Sequence, residues 1–304
     1  MTISNQTLEV AHRDGDLPPL HDEIETKENA TTDGDETVLR PPSGWMPVDI
    51  EELLRYRDLL WMLSRRDIIV RYKQSAMGSA WAVLQPLSMM IIFTVVFGVI
   101  AKMPSAEIPY PVFVLAGLIP WAMFSQGITK AAVSISSEYM VSKIYFPRMY
   151  LPAAAVNVFT VDLLISLGLY AVVLLIYRIP PAWTVVFLPI LIFLTYIATL
   201  GVSLIFSSTM VFYRDVGLLV PYLTQFLMFL TPVVYPLSII KDPAVRYLLA
   251  LNPMFGIVSG YRSAILGVEW DPVCLVISTV STIAIFVGSL VYFRRLEPYF
   301  IDVV

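Results

Sequence analysis

Four cations, Arg65, Arg66, Arg71 and Lys73, lie directly around the start of a run from Gln74 to Ala101 that carries no charge. The stretch from Leu53 to Ser75 holds six basic and two acidic residues, mixed with Leu59, Leu60, Trp61, Ile68, Ile69 and Tyr72. That mixture fits a helix at a membrane surface, with apolar groups in the acyl boundary and cations among the headgroups. Each Lys or Arg near an anionic leaflet contributes roughly 1 kcal/mol to such binding. The apolar residues do not keep to one side of a helical wheel, so two short pieces meeting near Ser64 are expected rather than one long helix.

Other residue types able to do chemistry are few. The single cysteine, Cys274, sits in an apolar run, which excludes an intrachain disulfide and a cysteine-based metal cluster. His12 and His21 both fall in the N-terminal tail, away from the apolar body. There is no G-x-x-x-x-G-K-[ST] phosphate loop, no H-E-x-x-H and no G-x-S-x-G. No two acids share one span, so an enzyme using metal ions on phosphate esters would lack its ligands. The expectation is a chain that is not an enzyme and that carries no metal or cofactor of its own.

Asp162 is the lone carboxylate inside an apolar span. An acid in hydrocarbon costs about 2.5–3.5 kcal/mol on insertion scales, so it faces a partner or water. A proton or substrate contact and an interhelical hydrogen bond both remain open for it. Tyr222, Phe226 and Phe229 share one helical face, as do Phe93 and Phe97. Such stripes serve helix packing, or line a path for sugars if these spans enclose one.

The elements that must position these residues follow from composition. Of 304 residues, 57% are hydrophobic and 14% charged, against about 45–50% and about 25% in soluble chains. Mean hydropathy is +0.73. Crossing a bilayer takes about 20 mainly apolar residues. Charge-poor intervals place six membrane helices at 80–101, 110–132, 150–177, 183–210, 217–236 and 272–293. Residues 247–261 are apolar but too short to cross, and are interrupted at Asn252-Pro253; residues 237–266 therefore read as short re-entrant helices, whose irregular backbone must be covered by protein or face water. The expected fold is thus all-α and integral to the membrane, with an interfacial helix at 51–75 and a transmembrane domain over 76–304. Residues 1–50 read as an acidic disordered tail, with ten Asp or Glu among the first forty residues. With both ends on the cytoplasmic side, twelve Lys and Arg outside the tail lie inside and five outside, in keeping with the positive-inside rule. Arg246 and Arg262 are expected toward the outer water.

Several stretches carry a resemblance when taken together: "VRYKQSAMGSAWAVLQPL" from Val70, "KIYFPRMYLP" from Lys143, "FYRDVG" from Phe212, "FLTPVVYPL" from Phe229, "NPMFGIVSGYRSAIL" from Asn252 and the closing "EPYFIDVV". In order and spacing, from Glu51 to Val304, they resemble the membrane subunit of ATP-binding-cassette exporters of polysaccharides, of the capsule, O-antigen and teichoic acid type. The resemblance implies a homodimer in the bacterial inner membrane, paired with two copies of a separate ATPase that binds ATP and magnesium. It implies a lipid-linked glycan as substrate, often on a polyprenyl pyrophosphate. It implies that Arg65, Arg66, Arg71, Tyr72 and Lys73 form a cationic entrance, where guanidinium groups take phosphate oxygens in pairs. It seats a coupling loop at Ser134 to Arg148, with Glu138, Tyr139, Lys143, Phe146 and Arg148 as its contact set. Asn252, Pro253 and Arg262 would then belong to an outer gate. Phe93, Phe97, Tyr222, Phe226 and Phe229 would line the channel.

Headgroup anchoring is the competing account of each single cation. A subunit exporting a drug or small lipid is the nearest alternative to polysaccharide export. A proton-driven transporter would need several intramembrane acids, and internal repeats. A membrane glycosyl- or phosphotransferase would need the missing acidic cluster.

Overall fold

The computed structural model describes residues 54–73, 80–105, 107–136 and 146–300, and all regular structure among them is helical. Helix α1 spans Arg57–Lys73. Helix α2, Ala80–Phe93, continues through a π-helical segment, Thr94–Ile100. Then come α3, Tyr110–Ala132, and α4, Tyr150–Tyr177. A 3-10 turn at Trp183–Phe187 leads into α5, Leu188–Phe212, followed by α6, Val216–Leu230. Two short helices, α7 (Pro243–Leu249) and α8 (Pro253–Leu266), precede α9, Pro272–Leu296.

Five of these stretches are long and apolar enough to cross a bilayer: Ala80–Ile100, Tyr110–Ala132, Tyr150–Tyr177, Trp183–Phe212 and Pro272–Tyr299. The sixth expected span is shorter than the sequence implied. α6 has 15 residues, a rise of about 22 Å, against about 30 Å of hydrocarbon. Its apolar run does extend to Ile240, but the helix stops at Leu230 because Pro232 and Pro236 lie just beyond.

The three short-loop helix starts follow one local rule. Asp242, Asn252 and Asp271 each cap the helix that follows, accepting from Ala244, Met254 and Cys274 N–H at 2.8, 3.1 and 3.1 Å. Each is followed by proline at the first helical position, where no N–H is needed. Asn252-Pro253 therefore starts a helix as well as ending the one before it.

α3 is the axis of the fold, buried on nearly all sides by α2, α4, α5, α6 and α8. α5 carries Thr195, Thr199, Ser203 and Ser207, all buried and four residues apart, with Thr199 set against Gly127 of α3. Small side chains at this spacing let membrane helices approach closely.

Side-chain bonds sort the chain into two ends. At one end, Tyr110 and Phe113 of α3, Thr184, the segment 232–235 and the last turns of α8 are joined. At the other, Leu63, Ile135, Phe146, Met149, Tyr150, Val211, Phe293 and Phe300 form a separate apolar cluster. α6 starts beside the second end and runs into the 232–235 segment at the first.

Helix α1 corrects the expectation of two pieces. It is a single helix of 17 residues. Its protein-facing stripe runs through Leu60, the adjacent Leu63 and Ser64, Asp67 and Arg71, one contact per helical turn. The stripe mixes apolar and polar residues because α4 offers both. Trp61, Met62, Ile69 and Val70 are left exposed on the other side. A helix apolar toward both protein and lipid has no single apolar face, which is why the wheel misled.

Candidate functional site

The site begins where α1 meets α4. Ser64 Oγ donates to Leu60 O at 2.8 Å and accepts from Asn157 Nδ2 at 2.9 Å. Asn157 Oδ1 in turn accepts from the Tyr196 hydroxyl of α5 at 3.0 Å. Seven residues further along α1, Arg71 donates to Asp162 at 2.7 Å, and the Tyr72 hydroxyl donates to the other carboxylate oxygen. The Arg71 guanidinium lies over the Phe159 ring, 4.6 Å from its centroid, a geometry that adds cation–π attraction. Burial, and then the hydrogen bond to Asp162, push the Tyr72 phenol well above its ordinary range, so it stays a donor. Both contact pairs advance in the same direction, so α1 runs alongside α4 rather than across it. Asp162 lies 12 residues into α4, about 18 Å along its axis.

Asp162 also borders a cavity of about 410 Å³ lined by α2, α3, α4 and α6. Its walls are mostly apolar, with Gln85, Gln126 and Gln225 as neutral polar groups and Phe93 and Trp121 as rings. An apolar hollow with a few amides can hold a ligand bearing hydroxyls or amides. The glutamines and Trp121 escaped sequence reasoning. Their signal was available, since an amide within an otherwise apolar span has to find a polar partner or face a cavity.

The sequence-derived candidates fall into different places. Phe93 lines the cavity, and Phe97 stacks on it with centroids 5.6 Å apart. Tyr222, Phe226 and Phe229 do not line it. They lie on the outward face of α6, with Phe226 74% exposed, while Pro221, Thr224, Gln225 and Met228 face inward. Arg65, Arg66 and Lys73 are exposed on α1, and Arg66 pairs with Asp67 at 2.9 Å. Thus Arg71 and Tyr72 meet Asp162, while the other three cations stand away from it.

Arg262 corrects the reading that put it toward outer water. It is 3% exposed. Its guanidinium donates to the carbonyls of Phe113 and Tyr235, both at 3.2 Å, and to those of Pro232 and Val233. The Phe113 ring lies 3.8 Å beneath it. Tyr110 donates to Val234 O at 2.8 Å, so the four consecutive carbonyls 232–235 each receive a side-chain donor. Backbone that leaves helical geometry inside a membrane protein needs such partners; this is the physical reason for burying a cation here. Gly117 leaves the room for it, since a Cβ there would meet Arg262 Nη2 at 2.7 Å. Asn252 joins the same assembly, donating to Thr231 Oγ1 at 2.8 Å, with Pro253 buried beside it. Arg246 instead pairs with Asp271 at 3.1 Å.

At the opposite end, Phe146 and Arg148 are buried. Arg148 donates from its backbone N–H to a Glu297 carboxylate oxygen at 3.1 Å and from its guanidinium to Glu297 O at 2.9 Å. Arg294 completes the group, 2.9 Å from Glu297. Of the expected coupling set, Phe146 packs in the apolar cluster with Phe300 and Arg148 is bonded to Glu297, so neither presents a free surface. Glu138, Tyr139 and Lys143 lie outside the described residues. Among the described residues no cluster of His, Cys, Asp and Glu could hold a metal.

Comparison with known proteins agrees with this architecture. Residues 58–266 match the model of the ABC-2 type transporter family. The chain is 31% identical over 256 residues to the O-antigen export system permease protein RfbA of Myxococcus xanthus, covering 82% of this chain and 97% of that protein. It is 27% identical over 249 residues to the protein of that name from Klebsiella pneumoniae, covering 81% and 95%. Against the polysialic acid transport protein KpsM of Escherichia coli it is 25% identical over 242 residues, covering 76% and 91%. All-helical among its described residues, rich in membrane-length helices and matched over most of its length by transport permeases, the chain belongs to the ABC-2 type transporter family.

Proposed function

We propose that this chain is the membrane subunit of an ATP-driven exporter that moves a lipid-linked polysaccharide out across the bacterial inner membrane. The observation that carries the reading is the breadth of the match: relatives named for O-antigen export and polysialic acid transport are covered over 91–97% of their length. The subunit acts as a homodimer with two copies of a separate ATPase, which supplies the ATP and magnesium chemistry. This chain's part is to admit, enclose and release the polymer. The α1 cations Arg65, Arg66, Arg71 and Lys73, with Tyr72, receive the phosphate end of the substrate. The amides and rings around the cavity, including Phe93, face the sugar.

In this reading α6 and the segment after it make a sixth crossing, and α7 and α8 form the re-entrant outer gate with Asn252, Pro253 and Arg262. The two bonded ends support it, because α6 leads from one to the other. Both termini are then cytoplasmic. Glu138, Tyr139 and Lys143 remain the coupling contacts to the ATPase, and Arg148 anchors their loop.

The test is purification of the chain from its own host with associated proteins. An ATPase should co-purify, and lipid-linked glycan should raise its turnover. Vesicles in which the isolated chain transports glycan on an ion gradient alone would overturn the reading. Charge reversal at Arg65 and Arg66 should stop export while the complex still assembles; export that survives removes these two from the entrance.

A further inference from the structure

We infer that Asp162 is a built-in anion occupying the phosphate seat formed by Arg71 and Tyr72, and that phosphate oxygens arriving at the entrance displace it. This rests on the entrance reading above and adds its regulation. The carboxylate takes one donor from the Arg71 fork and one from the Tyr72 hydroxyl. A phosphate group accepts from the same two donors, with more oxygens and more charge. The Phe159 ring covers one face of the guanidinium and holds its orientation. The seat is open on the right side: the Arg71 side chain is 33% exposed and that of Asp162 14%. An incoming anion therefore reaches the cation without unfolding the helix pair, and Asp162 itself borders the cavity.

Displacement has a local mechanical result. The earlier turns of α1 stay tied to α4 through Ser64 and Asn157 and through the buried Leu63. The last turns, ending at Lys73, lose their polar attachment and keep only apolar packing such as that of Ile68. The end of α1 nearest the cavity swings while its base is held, which couples arrival of a phosphate to opening at that corner.

Two sources share this phosphate chemistry, the diphosphate of a lipid-linked substrate and ordinary anionic headgroups. The experiment uses the full-length chain in nanodiscs. One arm titrates inorganic pyrophosphate in phosphatidylcholine discs, and the other uses phosphatidylglycerol discs without pyrophosphate. Binding is measured by calorimetry, and release of α1 by amide exchange over residues 68–73, with α3 as the folding control. Exchange at 68–73 should rise with pyrophosphate, or in phosphatidylglycerol alone if headgroups are the source. Asp162→Asn should bind pyrophosphate about tenfold tighter, a change of about 1.4 kcal/mol, with exchange already high before any anion is added. Asp162→Glu should remain like the wild type, and Arg71→Gln should bind pyrophosphate more weakly than the wild type. If Asp162→Asn fails to assemble, Asp162→Ser carries the same expectation. Binding by the wild type that Asp162→Asn does not tighten, or that leaves exchange unchanged, overturns the displacement alone. No response to either phosphate source in the wild type or in Asp162→Asn overturns the phosphate entrance as well.

Discussion

Arg262 aims its guanidinium at main-chain carbonyls instead of a carboxylate. Each buried carbonyl left without a donor costs about 1–3 kcal/mol. Arg262→Met strands several at once and should destabilise the chain by roughly 3 kcal/mol or more, read as a fall of several degrees in the thermal midpoint in detergent. Arg262→Lys keeps the charge but lacks the fork, and should fall between the two. Gly117→Ala should act in the same direction by crowding the guanidinium and Val233 O. An unchanged midpoint in all three would show that 232–235 finds other partners. Asp271 supports a pH prediction at the same end. Burial raises its carboxyl, but the Cys274 N–H and Arg246 outweigh burial and hold it below its ordinary 3.8. A depressed acid contributes stability that is present above its unfolded value and lost as pH falls through the folded one. Melting below that ordinary value should therefore show a loss that Asp271→Asn, lacking the titration, does not share.

At the scale of elements, α1 depends on Asn157. That side chain reaches Ser64 of α1 and receives Tyr196 of α5, so three helices meet on one amide. Interhelical bonds of this kind contribute about 0.6–2 kcal/mol in membrane proteins. Asn157→Leu should raise amide exchange across Arg57–Lys73 and leave α3 unchanged; equal exchange in α1 would mean that Leu63 and the Arg71 pair suffice. The existence of α1 was legible in the sequence, from its charge and its position before a charge-free run. Its continuity was not, because the partner that tolerates a mixed face, α4, is nearby only in three dimensions. The same limit explains the α6 aromatics. Helical spacing placed Tyr222, Phe226 and Phe229 on one face, yet only packing could say that Thr224 and Gln225 take the cavity side.

At the scale of the molecule, the question is the number of crossings. Six place residue 241 on the same side as residue 102; five place it opposite. With Cys274 buried, single cysteines at Lys102→Cys and Lys241→Cys can be labelled by a membrane-impermeant maleimide in right-side-out vesicles. Labelling of both is expected, and a cysteine added after Val304 should label only from the cytoplasmic side. Protection of Lys241→Cys would reduce the crossings to five and move the gate to the other face.

The chain's composition and its apolar intervals determined by themselves that it is a helical membrane protein. These are properties of single residues and their neighbours in sequence, and transfer of apolar side chains into lipid depends on little else. The stretches from Val70 to the closing EPYFIDVV carried the likeness to polysaccharide exporters as well. Tertiary structure alone decided the pairings. Arg71 and Asp162 are 91 residues apart in the chain, and Arg262 lies 149 residues from Phe113. A buried charge must find its partner wherever the fold brings one, so sequence can announce the need but only packing supplies the answer.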